Sequence, residues 1–264
     1  MNNIYDQLII EFSRLIENNP QDTNLYYKRG IAYKNQGKYG LAIKDLTKAL
    51  AGNLEQAGWN SFEVKKVKKA VKQVSFRTFL NILNERGIIF FITRNIEGAV
   101  SDFTKSIDIC PNSIAYYYRG ICFFKKQEFE HAIYDLIAAK KIHPQYVDIR
   151  IALGLIYYYL GKSDLAISEF NTAKEIKPGN VKTYLQLGHI SSDNDDLDDA
   201  IFNYEKVISI DPNCAEAWYH VGCIYFKKQE FAKSLENISK AKALGYKMKF
   251  QDMDLNYAQN HRLP

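Results

Sequence analysis

The sequence predicts an all-α solenoid built from short antiparallel helix pairs, and three observations predict it. The first is a fixed period: between Ser113 and Pro178, Gly120 returns as Gly154, Ala132 as Ala166, Leu136 as Phe170, Ala139 as Ala173 and Pro144 as Pro178, each after 34 residues. A period of this size is the signature of stacked supersecondary units. The second is reach. The same glycine position holds Gly30, Gly87, Gly188 and Gly222, and the small residue is Ala42, Ala99, Ala200 or Ser234. The apolar residue four further on is Leu46, Phe103, Tyr204 or Ile238, and Pro111 and Pro212 end two further units. The third is pattern within a unit. Ile151, Leu153, Leu155, Ile156 and Leu160 precede the polar break Gly161-Lys162-Ser163-Asp164, and Leu165, Ile167, Phe170 and Ile176 follow it. Two helically spaced apolar runs around a short break read as helix, turn, antiparallel helix.

In chain order, residues 1–22 read as a half-repeat: one amphipathic helix with Ile4, Leu8, Phe12, Leu15 and Ile16 on its apolar side, covering the open end of the stack. Residues 23–56 form the first full repeat, with Leu54 where a proline is expected. The step from Gly30 to Gly87 is 57, one period plus 23, so residues 57–79 are an insertion. Asn60 and Glu63 come close to a capping box at its start. No glycine or proline follows until Gly87, so one helix from Ser61 to about Phe91 and a break near Val74-Ser75 both fit. Val64, Val67, Val71 and Val74 would line one side of it, with Lys65, Lys66, Lys68, Lys69, Lys72 and then Arg77 on the other. Repeats follow at 80–112, 113–146, 147–180, 181–214 and 215–246. Residues 247–264 read as a closing cap and tail, with Met248, Phe250, Met253, Leu255 and Tyr257 as its apolar residues. A glycine inside a helix costs about 1 kcal/mol relative to alanine, so its return in every unit implies close helix approach. Each proline, unable to continue a helix, marks the turn into the next unit.

These residues resemble the tetratricopeptide repeat (TPR) family. The shared pattern is aromatic, glycine, aromatic, alanine, an apolar ring or leucine, alanine and proline. The unit from Ser113 carries it as Tyr116, Gly120, Phe123, Ala132, Leu136, Ala139 and Pro144, and the unit from Ala215 as Trp218, Gly222, Tyr225 and Ala241. Departures are Ser106 and Val207 for alanine, Ser191 for an aromatic and Tyr246 for the last proline. The resemblance implies a right-handed superhelical solenoid of helix-turn-helix repeats. It also implies a groove, lined by the first helix of each repeat, that binds a peptide or partner helix.

Carried over repeat by repeat, that groove face holds Tyr27, Ile31 and Lys34; Asn84, Ile88 and Phe91; Tyr117, Ile121 and Phe124; Ile151, Leu155 and Tyr158; Leu185, His189 and Ser192; and Tyr219, Cys223 and Phe226. The Lys/Asn/Arg set by which chaperone-binding members hold a C-terminal carboxylate is missing, with Tyr27, Ile31, Asn84 and Tyr117 at the matching positions. An aromatic, aliphatic face suits an apolar helix or extended segment. The bland alternative is that the protein fills the groove itself, with its C-terminal segment, its insertion or tight curvature.

Composition narrows the function classes. The 264 residues carry 19 Tyr and 15 Phe, ample surface to bury, and a net charge of +5, too mild to imply nucleic acid by itself. Residues 1–19 interrupt their apolar pattern with Asp6, Glu11 and Glu17, unlike a secretory signal. No run of about 18 apolar residues occurs, so no membrane span is expected. Cys110, Cys122, Cys214 and Cys223 have no CxxC spacing and read as reduced thiols of a cytoplasmic protein. The acidic run from Asp193 to Asp199 lacks the central glycine and final glutamate of a calcium loop, and reads as a turn with helix-start acids.

No HExxH, P-loop or GxSxG occurs, so neither catalysis nor a cofactor is expected. His189 and His220 fall on consecutive first helices with Cys223 nearby, in no known ligand spacing; they read as groove or packing histidines, with no metal site. The expected role is therefore a non-enzymatic scaffold or adaptor for a protein or peptide partner, as a monomer or weak homodimer. One alternative is nucleic-acid or anionic-membrane binding through the basic helix over 61–77. Another is self-association, with the groove closed by the protein's own or a second chain's segment.

Overall fold

A computed structural model describes residues 2–56 and 75–247, which contain thirteen α-helices and no strand. Of the basic helix expected over 61–77, residues 61–74 lie outside the described residues, as do residues 248–264 of the closing segment expected over 247–264. The chain divides into two compact units, Met1–Pro144 and Gln145–Pro264. The first unit holds α1 (Asn2–Asn18), α2 (Thr23–Asn35), α3 (Tyr39–Gln56), α4 (Ser75–Ile92), α5 (Ile96–Ile109), α6 (Ser113–Lys125) and α7 (Phe129–Ile142). The second holds α8 (Val147–Tyr159), α9 (Ser163–Ile176), α10 (Val181–Asp193), α11 (Leu197–Ile210), α12 (Ala215–Lys227) and α13 (Phe231–Ala243). After α1, the helices of each unit pack as consecutive pairs.

Local sequence explains the helix ends. Pro111, Pro144, Pro178 and Pro212 each stand just beyond a 14-residue second helix. Where Leu54 replaces that proline, α3 continues through it to Gln56. Helix α4, described from Ser75, takes in the last residues of the stretch read as insertion, and Phe79 on it is buried in the core with Leu46, Leu50 and Ile82. Asparagines start several helices: the Oδ1 atoms of Asn95, Asn112 and Asn180 accept from the N–H groups of Gly98, Ala115 and Thr183.

Within each pair the first helix ends in one recurring turn. Gly37, Arg94, Gln127, Gly161, Asp195 and Gln229 all have φ between 61° and 74°. The N–H of each residue and of its successor reaches back across the last turn, as Gln127 to the Phe124 carbonyl and Glu128 to that of Phe123. This is a Schellman arrangement. Four of its six left-handed positions are not glycine.

The repeated glycine sets the spacing inside each pair. A Cβ on Gly154 would lie 2.7 Å from the Phe170 ring, one on Gly188 2.7 Å from Tyr204, and one on Gly120 3.0 Å from Leu136. The close approach read from sequence is therefore an approach to the large residue sixteen positions later. Phe170, Tyr204 and Leu136 are fully buried, as are the small residues Ala166, Ala200 and Ala132 on the same helices.

The first unit adds a polar device to this packing. Arg29, Arg86 and Arg119, each just before its glycine, make bidentate pairs with Asp45, Asp102 and Asp135, with N–O distances of 2.7–2.9 Å. The remaining guanidinium nitrogen donates to a hydroxyl on the preceding second helix: Ser13 for Arg29, Thr47 for Arg86 and Thr104 for Arg119. Arg29 lies over the rings of Tyr26 and Tyr33, and Arg119 over those of Tyr116 and Phe123. Ser13 takes the place in α1 that Thr47 takes in α3, so α1 serves as a second helix without a partner before it.

Two stability outcomes follow. Gly154→Ala forces a Cβ into a fully buried ring and should lower unfolding free energy by about 1–3 kcal/mol. Gly179→Ala, with nothing within 4 Å of the new methyl, should stay within about 0.5 kcal/mol of wild type in the same urea titration. Asp135→Ala strands the Arg119 guanidinium and should cost roughly 3 kcal/mol, whereas the double change Arg119→Met with Asp135→Leu should recover most of that loss. Equal losses in the single and double variants would show that the pair is not the source.

Candidate functional site

The first-helix face is built separately in each unit. In the first unit α2 touches α4 and α4 touches α6, so the residues at one register position on these helices are neighbours. Lys34 on α2 pairs with Glu85 on α4 at 2.5 Å. Tyr27 and Ile31 are half-buried against the core beside them. Burial, with Glu85 nearby, pushes the Tyr27 phenol above its ordinary range. Ile88 and Phe91 are half-buried, and Phe91 meets Tyr118 edge-on at 6.0 Å under the Lys125 ammonium. Tyr117, Ile121 and Phe124 are half-buried on α6. Tyr117 meets Tyr118 edge-on at 5.1 Å, and Phe124 leans on Phe129 at 6.0 Å.

Asn84 differs. It is only 8% exposed, its Nδ2 donates to Asn112 Oδ1 at 3.3 Å, and its own Oδ1 is buried with no hydrogen-bond partner. Arg77, at the start of α4, is exposed. Lys65, Lys66, Lys68, Lys69 and Lys72 lie outside the described residues.

In the second unit α8 touches α10. Leu155, Tyr158, Leu185, His189, Cys223 and Phe226 are half-buried. Ile151 and Tyr219 are buried, at 5% and 4% exposure, Ile151 in the core with Phe170 and Leu187. Tyr246 stacks over the Tyr219 ring at 4.4 Å. The Tyr158 hydroxyl donates to Asp193 Oδ2. Burial, and then that carboxylate, pushes the Tyr158 phenol up to about 12. Phe226 meets Phe231 edge-on at 5.6 Å. Of the eighteen residues placed on this face, fifteen, Lys34 and Ser192 among them, are half-buried and three, Asn84, Ile151 and Tyr219, are buried.

The histidines placed on consecutive first helices do meet. The His189 and His220 rings stand 4.8 Å apart, edge to face. Glu216, one turn before His220 on α12, reaches both: its Oε1 is 3.7 Å from His189 Nε2 and 4.0 Å from His220 Nε2. Tyr204 stacks on His220 at 5.1 Å and leans on His189 at 5.7 Å. His189 Nε2 and the Tyr204 hydroxyl are both buried without a hydrogen-bond partner. Burial holds the His189 imidazole below its ordinary pKa, against the opposing pull of Glu216 and Asp193. It drives the Tyr204 phenol far up. Among the described residues, this is the one grouping of three or more donors of the metal-ligating kinds. The acids of the turn between α10 and α11 do not converge in this way.

Reading by residue type passed over two features, and both have a signal in the chain. The Arg–Asp pairs recur at a constant separation of sixteen, one residue ahead of Gly30, Gly87 and Gly120 and of the large residues Leu46, Phe103 and Leu136 that face them. Glu216 and His220 are an i, i+4 pair on one helix face, but only the stacking of α12 beside α10 brings His189 to them.

The family pattern described as Tetratricopeptide repeat matches residues 147–180, 181–214 and 215–244, and a second pattern of the same description matches 11–44. The chain belongs to the tetratricopeptide repeat family. Among curated proteins it is similar to BBSome complex member BBS4 of Bos taurus, 22% identical over 204 residues, covering 75% of this chain and 39% of that protein. It is also similar to DnaJ homolog subfamily C member 3 of Mus musculus, 22% identical over 245 residues, covering 78% and 49%. The chain thus spans half or less of the length of these relatives. Among solved structures, the APC/C hetero-tetramer Cut9-Hcn1 aligns with a TM-score of 0.67 at 16% identity, covering 96% of this chain and 46% of that one. YrrB, described as a TPR protein with an unusual peptide-binding site, aligns with a TM-score of 0.53 at 21% identity, covering 69% and 94%.

None of the four cysteines is in a disulfide, and none of the described helices is long and apolar enough to cross a membrane. Cys122 is fully buried on α6, and burial pushes its thiol up to about 12. Since the thiolate is the reactive form, Cys122 should remain unalkylated by iodoacetamide at pH 8 in the folded protein and become labelled in urea. Rapid native labelling of Cys122, read by peptide mass spectrometry, would contradict its burial.

Proposed function

We propose that the protein is a non-enzymatic interaction scaffold that holds an apolar helix or extended peptide of a protein partner on the exposed face of its first helices. The observation that carries this reading is the set of fifteen half-buried side chains at the same repeat positions, eight in the first unit from Tyr27 to Phe124 and seven in the second from Leu155 to Phe226. They are mostly aromatic or aliphatic, anchored by their stems and still open to solvent. Such side chains lose little conformational freedom on binding and bring large contact area. Membership of the family supports a protein-interaction role. Two of the similar proteins, a BBSome member and a complex of Cut9 with Hcn1, are named as parts of assemblies.

A second reading, closure of the face by the protein itself, is favoured at one position. Tyr246 lies on Tyr219, where a partner side chain would otherwise sit.

The test is a pull-down from source lysate with three baits, each checked for helicity by circular dichroism. They are wild type, Ile121→Glu with Leu155→Glu, and a variant with Lys65, Lys66, Lys68 and Lys69 each changed to Glu. The expected result is a protein partner lost with the first variant, kept with the second, and retained between about 50 and 200 mM salt. Phosphate-directed binding by several lysines would fall roughly a thousandfold over that range. Loss confined to the lysine variant, with steep salt dependence, would transfer the function to the insertion.

A further inference from the structure

We propose that His189, Glu216 and His220 form a binding site for one divalent transition-metal ion of the zinc class. This goes beyond the scaffold reading and does not depend on it. One donor atom from each residue lies within 4.8 Å of the other two. For three atoms so spaced there is always a point within about 2.8 Å of all of them, and zinc bonds to imidazole and carboxylate are about 2.0–2.2 Å. Rotation of the side chains by well under an ångström closes that gap, with no change in the helices. Two imidazoles and one carboxylate are a donor set that zinc accepts, with a remaining position for water.

Three further observations point the same way. His189 Nε2 is buried with no hydrogen-bond partner, and a buried nitrogen in that state calls for an ion or a water. The charged groups that act on His189 are Glu216 and Asp193, both acidic, so the local field favours a cation. Tyr204, stacked on His220 with an interplanar angle of 13°, holds that ring in one plane. Ring orientation of this kind is what outer groups supply in metal sites. Helix geometry supplies the rest: Glu216 and His220 stand one turn apart on α12, and His189 comes from the neighbouring first helix α10.

The test uses the full-length chain stripped with a chelator and then titrated with Co(II), followed by visible absorption, and with Zn(II) by calorimetry. One equivalent per chain is expected. Glu216→Gln and His189→Gln should each weaken binding about tenfold or more. The Glu216 side chain is 44% exposed, so Glu216→Gln leaves the packing intact and decides the matter even if His189→Gln loses helicity. Absence of saturable binding by wild type would overturn the assignment. So would unchanged affinity in folded Glu216→Gln, or an intense near-ultraviolet thiolate-to-cobalt band, which would place the ion on cysteine instead.

Discussion

Each helix pair is held at the distance that a glycine on one helix leaves for a large side chain on the other. The cost is a glycine in the middle of a helix, about 1 kcal/mol. The gain is complete burial of the opposing residue, worth about 1.5–3 kcal/mol for a leucine or phenylalanine. Gain exceeds cost where the opposing residue is leucine or phenylalanine, and the small residue on the second helix adds to it by letting the backbones come near. A Cβ on Gly222 would lie 3.1 Å from the Ser234 carbonyl, and one on Gly120 3.2 Å from that of Ala132. The turns, the Arg–Asp pairs and the outward face of the first helices all take their positions from this contact.

Much of the fold was legible because this contact is local and periodic. Glycine, small residue, ring and proline recur at fixed offsets, so the helices of each pair could be drawn from sequence alone. The turn positions were less legible. Only Gly37 and Gly161 advertise a left-handed residue, while Arg94, Gln127, Asp195 and Gln229 adopt the same φ because the Schellman hydrogen bonds around them enforce it. The burial of Phe79 was hidden too, since the period alone counts it with the insertion while its side chain belongs to the core.

The candidate site was legible in register and not in burial. Position within the repeat identifies which residues of a first helix face outward. It does not say which of them a neighbour then covers. Asn84 is held by Asn112, Ile151 is enclosed by Phe170 and Leu187, and Tyr219 is roofed by Tyr246. Each of these depends on a residue from another helix or from beyond the repeat. Periodicity cannot supply that information, because it repeats positions and not neighbours.

The two units solve their polar problem differently, and this bears on where chemistry concentrates. In the first, three guanidinium groups each satisfy a buried carboxylate and a hydroxyl, tying three helices together at every step. In the second, Leu153, Leu187 and Val221 stand where those arginines would be, all buried, and Glu169, Asn203 and Asn237 stand where the aspartates would be. A well-packed apolar replacement for a buried ion pair is often neutral or stabilising, so losing the ladder need not weaken the unit. It does remove the cations. Arg150 answers Glu169 at 3.0 Å, but no arginine replaces the lost fork beside Tyr204. That ring occupies a slot filled elsewhere by leucine, isoleucine or phenylalanine, and it brings a hydroxyl to which the pair offers no partner. The imidazoles and the carboxylate of Glu216 gather around it. The Tyr204 hydroxyl, the two imidazoles and the Glu216 carboxylate are thus collected at one place, and that grouping gives the histidine cluster its chemical character.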